Sequence, residues 1–279
     1  MSTNRFTLLC NAGGALIALV IGGYFASSLV HEERCAACGE RFATTASLPL
    51  ETSSGDLVSA IELQARAGRR EYGLLDNARV IRAGGAPAPA VVEIDLGAAP
   101  AEGRNGIGMR WSPPGLAEAR AACLSYSVWL PQDFDFGGGG FLPGFFGGAE
   151  SEDLLRPDPA AGFAVLLGWR SAGALEAVLQ MPSAAGKRVD RGKTSLPRGR
   201  WVEIAQEIRM NAPGKTDGEL RIWVGGELML ERRSLAWRKD GATAMGGVLA
   251  VVGHGTLDRA SGVRSPTAIQ LTPFELAWQ

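Results

Sequence analysis

Proton transfer beside a carboxylate draws on few residue types: a base with a pKa near neutrality, a cation that can grip a carboxylate, and hydrogen-bonding neighbours. The chain offers a candidate for each. His254 sits in Val251-Val252-Gly253-His254-Gly255, where flanking glycines would let a substrate approach. An unperturbed imidazole has a pKa of about 6.5, which suits a base. Arg170, at the end of an apolar run, can hold a carboxylate with two parallel N–H groups. Glu176, Val178 and Gln180 share one face of the run 175–181, and Leu175, Ala177, Leu179 and Met181 share the other. Each candidate also has a plainer reading: a histidine in a glycine-rich turn can be incidental, and a strand arginine can be ion-paired or solvated.

A second group lies in 201–210, where Glu203, Ala205, Glu207 and Arg209 alternate with Val202, Ile204, Ile208 and Met210. Gln206 interrupts the apolar side, either as a buried hydrogen-bonding residue or as a ligand contact. Glu207 and Arg209 read as substrate contacts or as a solvated face. Phe141, Phe145 and Phe146 could form a platform for sugar rings or a plug folded inward, and Trp111, Trp129 and Trp169 carry the same ambiguity. The Gly137–Gly140 run is followed by Phe-Leu-Pro rather than by a helix and lysine, which excludes a phosphate-cradling loop. No metal or cofactor is expected. Cys35-Ala-Ala-Cys38 has only His31 near it, short of the four ligands that zinc wants. A redox motif would need a βαβ setting. That leaves a disulfide, local or between chains, so a dimer linked through Cys35 or Cys38 is one expectation. Cys10 and Cys123 read as packing residues.

The elements that must position these groups follow from pattern. The chain has 279 residues, 46% of them hydrophobic, and a formal net charge of −1. That suffices for one large domain with an appendage and argues against nucleic acid as a partner, since nothing neutralises phosphates in bulk. Residues 7–30 contain no charged side chain over 24 positions. As a helix they would be about 36 Å long, enough to cross a hydrocarbon core of about 30 Å. Arg5 before the run and His31-Glu32-Glu33 after it favour a cytoplasmic N-terminus, while Ala26-Ser27-Ser28 offers a cleavage site. On either reading the rest lies outside the cytoplasm, anchored at the inner membrane with the domain in the periplasm, or secreted. Residues 31–74 read as a stalk with a short helix from Leu57 to about Tyr72.

From there the period becomes two. Strand-like runs at 78–83, 90–96, 124–130, 163–170, 175–181, 201–210, 219–224, 227–231, 247–252 and 269–278 are separated by glycine and proline turns. Gly225-Gly226 is placed to close a two-residue hairpin. The expected fold over 75–279 is all-β, two sheets packed as a jelly-roll sandwich.

The segment 126–148, YSVWLPQDFDFGGGGFLPGFFGG, resembles the strand-and-loop signature of the family-fourteen polysaccharide lyases, which include alginate lyases and glucuronan-type enzymes. Trp169-Arg170, Asn211-Ala-Pro-Gly214 with Asp217-Gly218-Glu219, Trp223-Val224-Gly225-Gly226, and Ser265-Pro266 with Phe274-Glu275-Leu276 fall in the matching order. The resemblance implies a concanavalin A-like jelly roll with a polysaccharide lying across one concave sheet, Glu176, Val178 and Gln180 facing it. It also implies β-elimination at a uronate, with the carboxylate neutralised, a base removing the C5 proton and an acid assisting O4. The sequence departs from that pattern where the chemistry sits. Phe141 falls at the family's lysine, and Val178 and Gln180 fall at its paired tyrosines. Of the three tyrosines, Tyr24 lies in the apolar run, Tyr72 precedes the sandwich, and Tyr126 shares a face with Val128 and Leu130. Two functions are therefore expected in parallel. One is binding and cleavage of an envelope or uronate-containing polysaccharide by a rearranged set of Arg170, Gln180 and His254, with Glu176, Gln206, Glu207, Arg209 and Phe141 as substrate contacts. The other is a catalytically degraded glycan-binding or scaffolding module.

Overall fold

The structure, a computed structural model, describes residues 38–68, 70–97, 105–148, 151, 153–154, 162–182, 187–255 and 267–279. The expected membrane run 7–30, Cys35 and His31 lie outside the described residues. Among the described residues no helix is long and apolar enough to cross a membrane.

Two antiparallel sheets face each other. The nine-stranded sheet takes β1 (Thr44–Ser47), β3 (Ala78–Ile81), β4 (Val91–Asp95), β6 (Ala121–Trp129), β11 (Trp201–Arg209), β12 (Gly218–Val224), β13 (Glu227–Leu235), β15 (Ala268–Leu271) and β16 (Glu275–Trp278). Its order is β13-β12-β11-β6-β15-β4-β3, with β16 also pairing with β6, and β1 with β16. The seven-stranded sheet takes β2 (Glu71–Tyr72), β5 (Ile107–Trp111), β7 (Gly140–Gly147), β8 (Phe163–Trp169), β9 (Ala174–Gln180), β10 (Lys187–Ser195) and β14 (Met245–His254), in the order β10-β9-β8-β7-β14-β5-β2.

The alternation read from sequence sets the core. Leu124, Tyr126 and Val128 of β6 and Ile204 and Ile208 of β11 face Val165, Leu167 and Trp169 of β8, Leu175, Ala177 and Leu179 of β9, and Val248, Ala250 and Val252 of β14. The Gly225-Gly226 hairpin forms as expected. Its φ angles of 61° and 84° give the left-handed pair that a two-residue turn needs. At the sandwich edge Arg232 Nε lies 3.0 Å from Asp190 Oδ2 and ties β13 to β10 across the gap between the sheets.

Three expectations change. Residues 38–74 are not a stalk. Leu48, Leu50, Val58, Leu63 and Leu74 enter the main core, and β1 extends the nine-stranded sheet. The helix is shorter than 57–72 and spans Ala60–Arg66, opened by a capping box between Ser59 and Glu62. Residues 140–147, which none of the expected strands covers, form β7 between β8 and β14.

The cysteines are corrected as well. Cys38 bonds to Cys123 within the chain, 85 residues away, so Cys38 is not available to link a dimer and Cys123 is more than a packing residue. The bond pins a short helix, Cys38–Arg41, as a strap on the outer face of the nine-stranded sheet, just before β1 joins that sheet beside β16. Beneath the strap Cys38 and Phe42 form their own apolar cluster with Ala121, Cys123, Ala205, Trp223 and Ala277. Arg41 lies 2.7 Å from Glu207 and over the Trp223 ring. Closing so long a loop should contribute about 2–4 kcal/mol. Urea unfolding of the oxidised protein should therefore lose about 2–4 kcal/mol on addition of dithiothreitol, and Cys38→Ser should unfold identically with and without reductant. An unchanged midpoint on reduction would assign the strap's stability to its non-covalent contacts.

Candidate functional site

The surface to which the sequence assigns glycan chemistry is the outer face of the seven-stranded sheet, and its shape depends on an irregularity in β7. The ladder between β7 and β8 slips by one residue between Leu142 and Phe145. Pro143 cannot donate to a ladder. At Gly144 a Cβ would stand 2.0 Å from the Val165 carbonyl oxygen, so the Leu-Pro-Gly triplet makes the bulge and admits no side chain at its third position. From inside, the Tyr126 hydroxyl (3.0 Å) and Gln206 Nε2 (2.6 Å) both donate to the Pro143 carbonyl. The extra residue turns Phe141 and Phe146 to the same, outer side while Leu142 and Phe145 both point inward.

That outer side is apolar and closed. Phe141, Phe146, Ala164, Leu166, Val178, Leu249 and Val251 form one cluster with Leu154, Tyr72 packs on it, and Phe141 and Val178 are only 5% and 3% exposed. Polar groups lie around the cluster. In lateral register across three strand pairs run Phe141, Gly168, Glu176 and Arg191. Arg170 Nε is 3.3 Å from Glu176 Oε2, so this acid stands between Arg170 and its cross-strand neighbour Arg191. Gln180, half-buried, lies opposite Ala164, about 13 Å along β9 from Glu176.

The structure divides the sequence candidates among three places. Arg170, Glu176, Gln180 and Phe141 belong to the outer face just described. Gln206 and His254 point into the interior. Gln206 is fully buried on the β7 bulge, and His254 is 2% exposed, stacked on Phe134 with ring centroids 5.7 Å apart and edge-on to Trp169 at 5.5 Å. Glu207 and Arg209 lie on the far face of the other sheet, where Glu207 is buried under the strap between Arg41 and Arg221 at 3.9 Å. A sheet thus separates His254 from Arg170 and Gln180.

Protonation states follow from the same burial. Burial pushes the Tyr126 phenol well above its ordinary value, against a smaller opposing effect from Gln206, so it remains a donor. Burial lowers the His254 pKa, against the backbone at Gly139, the charge of Asp135 and the backbone at Phe136. Among the described residues no group of three or more His, Cys, Asp or Glu side chains is disposed to hold a metal.

Two outer-face residues escaped the sequence reading. Tyr72 lies over Gly108, whose Cβ would come within 2.2 Å of the tyrosine ring. Arg110, 5% exposed, places its guanidinium 4.8 Å from the Phe146 ring and donates weakly to the Leu154 carbonyl at 3.4 Å. The signal for Tyr72 was hidden because residues 57–72 read as helix. That for Arg110 was hidden because Ile107-Gly-Met-Arg-Trp111 lacks a run of branched residues.

The family profile described as Polysaccharide lyase 14 matches residues 97–260. Among solved structures, the marine PL-14 alginate lyase from Aplysia kurodai superposes with a TM-score of 0.69 at 20% identity, over 85% of this chain and 99% of that one. The alginate lyase vAL-1 from Chlorella virus gives 0.64 at 18% identity, over 85% and 100%. An endo-beta-1,4-glucuronan lyase from the fungus Trichoderma reesei gives 0.58 at 10%, over 85% and 96%. No curated protein matches the chain in sequence. At these identities the superpositions establish the jelly-roll fold.

If the outer face is closed as described, a charge at its centre is costly. Phe141→Lys should lower the unfolding free energy by about 3 kcal/mol or more, from lost aromatic burial and a poorly solvated ammonium. Chemical denaturation measures this. A loss below about 0.5 kcal/mol, as at an ordinary surface position, would mean that the face is open to water.

Proposed function

Because the chain belongs to the polysaccharide lyase 14 family, we propose that it is an exported, lyase-derived protein that binds an envelope or uronate-containing polysaccharide and has lost the machinery to cleave it. The observation that carries this reading is the closed apolar cluster on the outer face of the seven-stranded sheet. β-Elimination needs a group to neutralise the uronate carboxylate and a base within reach of the C5 proton. Phe141 and Val178 stand at two of the positions where the family pattern has lysine and tyrosine. Tyr126 is committed to the core, and His254 lies behind the sheet. Losing general acid–base groups removes about 10² to 10⁴ in rate. What remains for a sugar polymer is the rim, where Arg170, Glu176, Arg191 and Gln180 present hydrogen-bonding groups beside the apolar centre.

Two features support export: the uncharged run 7–30 and a disulfide of the kind that persists in oxidising compartments. The reading in which the chain still cleaves is favoured by the family match and by fold relatives whose own substrates are alginate and glucuronan. It would require Tyr72 and Arg110, which already lie on the outer face, to act as base and carboxylate contact, or His254 to reach that face.

Alginate, glucuronan and an envelope polysaccharide extract, each incubated with the full chain, separate the readings. Affinity electrophoresis should show retardation by at least one polymer, weakened by Arg170→Ala, while the ultraviolet absorbance of unsaturated uronates stays at the no-enzyme level. Absorbance that grows with time and disappears in Arg170→Ala or His254→Ala would establish a lyase instead. Neither retardation nor absorbance on any polymer would sink both readings.

A further inference from the structure

Five of the seven tryptophans are buried: Trp111, Trp169, Trp223, Trp237 and Trp278. The other two, Trp129 and Trp201, are half-buried and stand directly opposite each other where β6 pairs with β11. Parity puts both on the outer face of the nine-stranded sheet, because Val128 and Val202 beside them point into the core. The strap lies on this face too, but over Cys123 and Ala205. Trp129 stands about 20 Å further along β6 than Cys123.

The lateral register extends this pair into a row across five strands. Trp201 of β11 faces Trp129 of β6, Trp129 faces Gln270 of β15, Gln270 faces Glu93 of β4, and Glu93 faces Arg79 of β3. All of them point outward, since their neighbours Ile269, Ile94 and Val80 enter the core. Across four strand spacings the row is about 19 Å long. Its polar half is already ordered. Glu93 accepts from Arg79 Nε at 2.8 Å on Oε1 and from Gln270 Nε2 at 2.7 Å on Oε2. A carboxylate has lone pairs for about four hydrogen bonds, so Glu93 retains acceptor capacity for the hydroxyl groups of a ligand.

Indole surface beside fixed donors and acceptors suits a sugar. Pyranose rings with equatorial hydroxyls offer a flat C–H face to an aromatic ring and hydroxyl groups at their edges. Charge decides which sugars fit. Glu93 lies on the row and Asp95 beside it, and the next outward residue of β11 is the exposed Glu203. Arg79, the cation on the row, is engaged by Glu93 and lies 3.8 Å from Asp95. A uronate laid here would meet net negative charge. We infer that the outer face of the nine-stranded sheet is a carbohydrate surface in its own right. On it Trp129 and Trp201 stack on an extended, neutral glycan while Gln270, Glu93 and Arg79 hold its hydroxyl groups. An extended chain fits because the row crosses the strands in unbroken register and accommodates several rings end to end. The rim around Arg170 lies on the other sheet, so this inference uses none of the residues that carry the reading above.

Calorimetric titration of the full chain with cellohexaose, xylohexaose and chitohexaose, and with an oligomannuronate for comparison, tests this. At least one of the neutral oligosaccharides should bind, with an affinity that added salt leaves unchanged, and should shift the tryptophan emission to the blue. Trp129→Ala and Trp201→Ala should each weaken that binding by about tenfold or more, while Arg170→Ala leaves it as it was. Urea unfolding establishes that each variant is folded; where Trp129→Ala is not, Trp201→Ala, at the start of β11, carries the test. The inference is overturned if no neutral oligosaccharide binds, if the oligomannuronate is preferred at this face, or if binding survives the tryptophan variants. A dimer of the parent chain, seen by sedimentation and dissociated by the same variants, would also overturn it and give the face to a second copy of the chain. Failure here leaves the rim untouched, because retardation by uronate polymers is read through Arg170→Ala.

Discussion

The carbonyl oxygen of Pro143 accepts two hydrogen bonds from the opposite sheet, and the outward chemistry of β7 follows from that arrangement. In a regular strand, residues five apart face opposite ways. The bulge that Tyr126 and Gln206 hold from below brings Phe141 and Phe146 to one side and Leu142 and Phe145 to the other. A tyrosine hydroxyl and a glutamine amide buried in an otherwise apolar core are costly unless satisfied. Here both donate to the Pro143 carbonyl inside the bulge. The interior polar pair is thus coupled to the composition of a surface on the far side of the sheet.

That composition makes the seven-stranded sheet apolar on both faces, which is unusual for an antiparallel sheet. An enzyme working on a charged polymer needs ionisable groups where the polymer lies, since only groups that meet developing charge lower the barrier. The cluster from Phe141 to Val251 is hydrocarbon, with the buried Arg110 guanidinium beside Phe146 and other charges at its margin, already engaged with one another in the case of Arg170 and Glu176. Burial therefore stabilises the very face that catalysis would have had to keep wet. Placing a charge among these side chains would cost folding energy.

The sequence was legible where period two ran unbroken. Leu175, Ala177 and Leu179 against Glu176, Val178 and Gln180 divided as written, and the Gly225-Gly226 hairpin was plain. Membership of the lyase family was carried by the loop and turn motifs, and the family profile covers those between 126 and 226, while Ser265-Pro266 and Phe274-Glu275-Leu276 lie beyond its match. The bulged strand was illegible because Pro143 and Gly144 look like loop residues. β5 and β10 were missed because Gly108 and the charges of Lys187–Ser195 break the usual strand composition. The faces of His254 and Gln206 could have been followed from their neighbours. His254 continues the series Val248, Ala250 and Val252, and Gln206 sits between Ile204 and Ile208, both inward. For Gln206 the sequence leaves a buried hydrogen-bonding role and a ligand contact open, and in the structure it is buried on the Pro143 carbonyl.

Pairing of Cys38 with Cys123 lay outside any local pattern, because it joins a short helix to a strand 85 residues later. Its consequence is physical as well as topological. Both cysteines are buried, at 3% and 0% exposure, beneath a strap whose Arg41 lies against Glu207, with Arg221 further off on its other side. A disulfide shielded in this way presents little surface to an attacking thiolate, and the carboxylate under it keeps its nearer counter-charge only while the strap stays in place. The covalent bond and the ion pair therefore reinforce each other. The nine-stranded sheet can carry Glu207 in its middle because the residues following the apolar N-terminal run are fastened over it, so the segment that reads from sequence as a stalk is the one that completes the outer surface of the sandwich.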